Sequence, residues 1–598
     1  MVSPRSLRRP WAVASARGEW RLDVRGLALF RMALGLASLV EIAELWAYRE
    51  AFLSSKGVCP QHKVKGPHSF DLFFAAQGDG ATSLLLVLNF LAASAFACGL
   101  WSRLATVISW LFAVSLHHRF SGCVDYGGDQ LRAQLLFWCM FIPLGSVWSV
   151  DAYLDHCTAN QPRLAVTTES SDCEESKDRR RAQSPLRLRT VHPEGTLAKP
   201  PRAARSSSSK RETPGEARPA TYSAPTSAFL ILLQLAIMYA YTASKKTGET
   251  WVSGRAVEAV LHLPQYSREP MAGLLVQLPL LCHLLSSATL WVERCGWCLA
   301  FMPFSRARLA ALVLFGGLHF GMNLALRVGN FQLFAMSAWL VVTPPSVLNS
   351  IQVWLLPWAW MRHRAPTKFA EAHRRPPLVR VIGWVLTIMA LLLMTAGMAE
   401  ACAQSGQKHC SLAKYVDPGR GIRGLLAELG LIQRWNMFAP DAPTRTLRVS
   451  IVGIVALHGR SCTLESNRYW EVCRVAPLWG QDGFPIVHVP VEEVSSWGSL
   501  QPPARTKVDF ATNRWRKLME NKNNSKAVGA YICQQWRIHR SPREKLLGIW
   551  FTRARSTPPQ TEEVYKSDFK YWCHAETKDL MMSLPLPSWV TSEKPKYK

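Results

Sequence analysis

Apolar residues along this chain gather in long runs. Runs near 26–47, 82–100, 103–117, 131–147, 227–245, 272–292, 308–326, 330–349 and 378–399 approach the length that crosses a bilayer core, roughly 20 residues. The pattern predicts an all-α polytopic membrane bundle of about nine transmembrane helices. The polar stretch 158–225 interrupts it after the fourth run. It is rich in Ser, Pro, Arg and Glu, with "RSSSSKRETPGEARPA" as its plainest part, and has no apolar face to bury.

After the last run the pattern shortens. "GIRGLLAELGLIQRW" reads as a helix and "TNRWRKLMEN" as a second, amphipathic one. Strands are expected at "TLRVSIVGIVAL", "RYWEVCRV", "PIVHVPV", "VGAYICQQWRIHR" and "LLGIWFTRAR". A C-terminal soluble α+β domain follows from that. The expected organisation is a basic N-terminus (1–25), a first membrane half (26–157), a disordered basic linker (158–225) and a second membrane half (226–350). A basic loop (351–377), a last transmembrane helix (378–400) and the soluble domain (401–598) complete it.

Charge sets the orientation. The net charge is +28, yet the basic residues fall in linkers and tails beside apolar runs, with no nucleic-acid motif. Membrane lipids, not nucleic acid, are the expected partners. Residues 1–25 carry six Arg, which places the N-terminus in the cytoplasm. Nine crossings then put three basic connections on that side and the domain 401–598 on the other. The chain is expected in the endoplasmic reticulum membrane if eukaryotic and in the cytoplasmic membrane if bacterial. The soluble domain holds Cys402, Cys410, Cys462, Cys473, Cys533 and Cys573, an even number that suits disulfides of unspecified pairing. "NNS" at Asn523 is a glycosylation sequon.

Ionisable groups within membrane runs are costly to bury and so mark candidate sites. "KKTGETW" ends one run with Lys245 and Lys246. A lysine acts as a base only in its neutral form, which burial or a neighbouring cation favours, and Lys245 is such a neighbour. The plainer reading of the pair is interfacial anchoring. His319 and Asn323 stand four apart on one helix face. Asp129 in "YGGDQ" opens another helix, where it also suits an N-cap. Glu293-Arg294 reads as an anchor or ion pair at the cytoplasmic end of the sixth run, and Arg31, Glu41 and Glu44 should each face the interior or a terminus. Cys295 and Cys298 form a C-x-x-C with no second pair, so no zinc site is expected.

"YGGDQLRAQLLFW…PLGSVWSVDA", "KKTGETWVSG", "LWVERCG" and "HFGMNLALRVGNFQLF" together resemble, in order, the horizontally transferred transmembrane (HTTM) domain of vitamin K-dependent gamma-glutamyl carboxylases and their bacterial relatives. "QRWNMFAP" resembles a segment that follows this domain in bacterial-type members. The likeness covers roughly residues 20–350. It implies a quinol cofactor such as reduced vitamin K, O2 and CO2 as co-substrates, no metal, and a protein or peptide glutamate as acceptor. Lys246, with Trp251 following, takes the place of the base that deprotonates the quinol. His319 takes that of a histidine bonding a quinone oxygen. Lys245, Trp251, Asn323 and Asp129 would line the substrate, Asp129 standing where carboxylases carry a further histidine. The other reading is a non-enzymatic lipid or quinone binder, transporter or scaffold.

Overall fold

The computed structural model describes residues 21–59, 70–74, 76, 78–124, 126–159, 221–223, 226–355, 419–433, 435–457, 473–493, 510–557, 565–583 and 590–591. The expected helix at 378–400, nearly all of the linker 158–225, the loop 356–377 and Cys402, Cys410 and Cys462 lie outside them. The chain divides into two units, one of Met1–His156 with Ala220–Lys598 and the other of Cys157–Pro219.

Strand β1 (Arg21–Asp23) leads into helix α1 (Val24–Ala47), whose first turn is capped by Asp23 accepting from Arg25 N–H. Helices α2 (Asp79–Cys98), α3 (Ser102–Phe120), α4 (Gly127–Cys139) and α5 (Val150–Ala159) follow. Strand β2 (Thr221–Ser223) pairs antiparallel with β1, so the end of the expected linker is ordered. Then come α6 (Thr226–Lys245), α7 (Pro279–Trp291), α8 (Ser305–Ala325), α9 (Phe331–Trp339) and α10 (Pro345–Leu355).

Among the described residues four helices are long and apolar enough to cross a bilayer: Val24–Ala47, Asp79–Cys98, Ala228–Lys245 and Ser305–Ala325. A fifth is added if Phe331–Val342 and Pro345–Trp354, bent by 109°, form one broken span. Of the eight expected crossings that fall within the described residues, four or five are kept, and the reasons are local. Helix α3 ends in His117, His118 and Arg119. Helix α4 has only 13 residues and carries Asp129 and Arg132. The run 272–292 breaks ahead of Pro279, leaving helical pieces of 6 and 13 residues. The chain keeps the character of a helical membrane protein, packed around Phe30, Leu34, Leu131, Trp138, Leu235 and Trp339.

The C-terminal part is α+β. After α11 (Gly419–Glu428), a six-stranded sheet runs in the order β5-β4-β3-β6-β7-β8. Its strands are β3 (Arg448–Leu457), β4 (Cys473–Pro477), β5 (Glu492–Glu493), β6 (Glu544–Ala554), β7 (Tyr565–Trp572) and β8 (Val590–Thr591). Only β7 and β8 pair in parallel. Helices α12 (Asn513–Glu520) and α13 (Ser525–His539) precede β6. The strand expected at "VGAYICQQWRIHR" is helix α13. Its β-branched and aromatic residues suit a strand, but Val528, Ile532 and Trp536 recur every four positions and are all buried. "PIVHVPV" forms no strand; Pro485 alone makes an isolated antiparallel bridge, with Trp479. Cys533 and Cys573 form a disulfide, and a second joins Cys59 to Cys123, in the segments that follow α1 and α3, outside the soluble domain.

Candidate functional site

The site is built where α6 ends. Helix α6 stops at Lys245, and the chain turns through Lys246–Gly248 into a short helix, Glu249–Val252. That turn is held from outside by Asp441. Thr250 donates to Asp441 Oδ1 from its backbone N–H at 2.8 Å and its hydroxyl at 2.5 Å. These bonds, the hydroxyl's foremost, hold the Asp441 carboxyl below the usual aspartate range. Gly248 N–H donates to Pro440 O at 3.0 Å, and a Cβ on Gly248 would lie 2.1 Å from Asp441 Cγ. Glycine is therefore required here for close approach rather than for backbone freedom.

So held, Lys246 is only 3% exposed, and its Nζ donates to Glu293 Oε1 at 2.7 Å and Oε2 at 2.6 Å. The Trp251 ring covers another side, its centre 4.4 Å from Nζ. Trp251 is fixed in turn by its indole N–H, which donates to Phe438 O at 2.8 Å. Glu293 sits in a π-helical turn, Val292–Gly296, that continues α7. The wider turn brings Glu293 inward while Trp291, Arg294 and Cys295 stay exposed. Sequence reading put Lys246 and Glu293 at opposite membrane faces, about 30 Å apart. They are in contact, which that alternation does not allow, and the ion pair expected of Glu293 is made with Lys246. The break ahead of Pro279 is the cause: 272–292 is not one uninterrupted crossing.

His319 reaches the same place from α8. Its Nε2 lies 2.5 Å from the Tyr239 hydroxyl of α6, and Trp339 Nε1 donates to that hydroxyl at 3.3 Å. With the tyrosine oxygen accepting from Trp339, its proton points at Nε2. A neutral His319 then carries its own proton on Nδ1. Nδ1 is buried with no partner among the described residues, and so is Gln332 Oε1. Unsatisfied buried donors and acceptors are uncommon enough to need a reason, and a bound polar group is one.

Lys246, Glu293, His319, Tyr239, Trp251 and Gln332 all line one cavity of about 730 Å³. Its wall continues along Leu285 and Ala288 of α7 and Leu314, Gly317 and Gly321 of α8. These five residues are themselves exposed on the outer face of their helices. The cavity thus opens sideways between α7 and α8, through an apolar slot. Residues of the Trp435–Pro443 segment and Asn513, Arg516 and Lys517 of α12 also line it.

Of the residues selected from sequence, Lys246, Trp251 and His319 meet at the cavity. Lys245 lies apart, its Nζ 5.3 Å from the centre of the Tyr241 ring. Asn323 is half-buried and does not line the cavity. Asp129 is no N-cap: Tyr126 caps α4, and Asp129 accepts from Arg514 Nη1 at 2.9 Å and Nη2 at 2.7 Å. Arg514 Nη2 also donates to Glu41, and Asn330 Nδ2 donates to Glu41 at 2.7 Å and Glu44 at 3.1 Å. Arg31 turns to backbone, donating to Ala97, Leu144 and Trp148 carbonyls. Asn523 is exposed ahead of α13. Compared with protein families, with curated proteins and with solved structures, the chain matches none.

Proposed function

We propose that this membrane protein binds a quinol-type lipid in the cavity and removes a hydroxyl proton from it at Lys246. The observation that carries the reading is that Lys246 and His319 line the same cavity, of about 730 Å³. A quinol has a polar ring and, in its lipid forms, an apolar tail. The Lys246–Glu293 pair supplies a proton acceptor and His319 Nδ1–H a donor for a ring oxygen. The slot between α7 and α8 suits the tail, because apolar ligands favour pockets with few, convergent polar groups. Carbon–carbon chemistry is the finer form of the reading and rests on the resemblance to the carboxylases. The deprotonated quinol would react with O2, and a glutamate side chain would then lose a γ-proton and capture CO2. The sheet domain would lie on an oxidising, non-cytoplasmic side, as its Cys533–Cys573 disulfide and the sequon at Asn523 favour.

A second reading is favoured by one observation. Both Glu293 oxygens engage Lys246, so the pair also suits a structural pin inside a lipid binder without catalysis. Lipids extracted from the purified protein, identified by mass spectrometry, test both. Gly317 and Gly321 have open space where a Cβ would stand, so a side chain can begin there, and Gly321→Leu should narrow the slot. Quinone should co-purify with the wild type and fall severalfold in Gly321→Leu. Equal recovery, or none from the wild type, contradicts quinone binding in the slot.

A further inference from the structure

We propose that Glu293 is the proton acceptor behind Lys246, so that the base at this site is a lysine–glutamate pair. The assignment rests on the quinol reading above and adds a second residue to it. An ammonium has three donors and no lone pair, so Lys246 takes a proton only after shedding one. Among the described residues its sole hydrogen-bonded acceptor is Glu293, with both oxygens in reach, and Glu293 has Lys246 as its only hydrogen-bond partner. Both side chains are nearly inaccessible, at 3% and 6% exposure. Two charges in such a place carry a desolvation cost that two neutral groups do not. Moving one proton from Nζ to a carboxylate oxygen therefore gives an amine and a carboxylic acid without any group leaving the site.

The step balances without an oxidant or a metal. An N–H bond breaks at Lys246 and an O–H bond forms at Glu293. When a quinol hydroxyl then gives its proton to Nζ, its O–H bond breaks and an N–H bond forms. The pair changes from net zero to one positive charge, opposite the new substrate oxyanion. The Trp251 ring, 4.4 Å from Nζ, favours the ammonium that results. The π-turn at Val292–Gly296 gives a second, independent reason to look here, since such turns are rare and recur at functional sites. A surface anchor would not need one; Arg294, the next residue, stays exposed.

A pinning role and a relay predict opposite behaviour when the carboxylate is removed. The test uses full-length protein in detergent, with Glu293→Gln and Glu293→Asp. One readout needs no quinol: reductive methylation of Lys246 by formaldehyde at fixed pH, followed by mass spectrometry. The other is oxygen-dependent consumption of reduced quinone. Glu293→Gln should raise labelling of Lys246, because no carboxylate holds the ammonium, while turnover falls on the order of 100-fold, within the range of one acid–base group. Glu293→Asp should recover part of the turnover. Turnover in Glu293→Gln at or above the wild-type rate overturns the relay and makes Glu293 a brake. Labelling unchanged by Glu293→Gln overturns the pairing itself. Raised labelling in Glu293→Gln, with a wild type that consumes no quinol, leaves the pairing intact, sinks the quinol reading, and takes the relay with it.

Discussion

Arg514 of the sheet domain donates from both terminal nitrogens to the two carboxylate oxygens of Asp129 in α4, at 2.9 and 2.7 Å. The two stand 385 positions apart, and both side chains are 2% exposed. Burial alone would lower the Arg514 pKa, but the charges of Asp129 and Glu41 reverse that and hold it above its ordinary value. Removing one partner from such a group strands the others as buried charges. Arg514→Ala should therefore cost about 3–5 kcal/mol. Thermal unfolding in detergent should show it, and Arg514→Lys should rescue little, since an ammonium cannot make the two parallel bonds. An unchanged midpoint in Arg514→Ala would mean that the sheet domain is not locked to the helices through this cluster.

Close approach at Gly248 gives a second expectation. An alanine methyl there would overlap the Asp441 carboxyl, 2.1 Å from its Cγ. Gly248→Ala should push Asp441 off Thr250, loosen residues 246–252 and weaken turnover more than it lowers the unfolding temperature. Hydrogen exchange across that segment is the direct check, and exchange as slow as in the wild type would contradict the contact.

The same contact should depend on pH. The Asp441 pKa is depressed in the folded protein. Its stabilisation is thus fully present above the unfolded value, about 3.9, and is lost as pH falls through the lower folded value. With the intrinsic pH dependence of amide exchange divided out, protection at 246–252 should fall below about pH 4 in the wild type. In Asp441→Asn that acid-induced change should be absent. A wild-type profile flat down to pH 2 would contradict the assignment.

Sidedness has its own test at Asn523, which is exposed in the sheet domain. Expression in a eukaryotic host should add a glycosidase-sensitive mass that Asn523→Gln removes. Protease protection placing the sheet domain in the cytosol would contradict a non-cytoplasmic position.

Much of the architecture was legible because its signal is local. The apolar run of α6 ends at the paired lysines, and the β-rich segments at β3 and β6 form the middle of the sheet. Helix α13 was misread because Val528-Gly-Ala-Tyr-Ile532 looks like a strand by residue type, and only its four-residue spacing of buried positions shows otherwise. Lys246, Trp251 and His319 stood out as unusual residues at the ends or within apolar runs. Their partners did not. Nothing in the order of residues says that Glu293 meets Lys246, that Arg514 meets Asp129, or that Cys59 meets Cys123. Tyr239 and Gln332 carry only a faint signal in the sequence, as polar groups inside apolar helices.

Oxygen-dependent consumption of a reduced quinone by purified protein tests most directly whether Lys246 is the base. Wild type should turn over. Lys246→Ala should lose roughly the full contribution of an acid–base group, at least 100-fold, while remaining folded. Lys246→Arg should fail as well, because a guanidinium keeps its proton and cannot act as a base. Lys245→Ala, altering a residue outside the cavity wall, should stay within severalfold of wild type. Wild-type rates in both Lys246 variants would contradict the account, and so would a wild type that consumes no quinol.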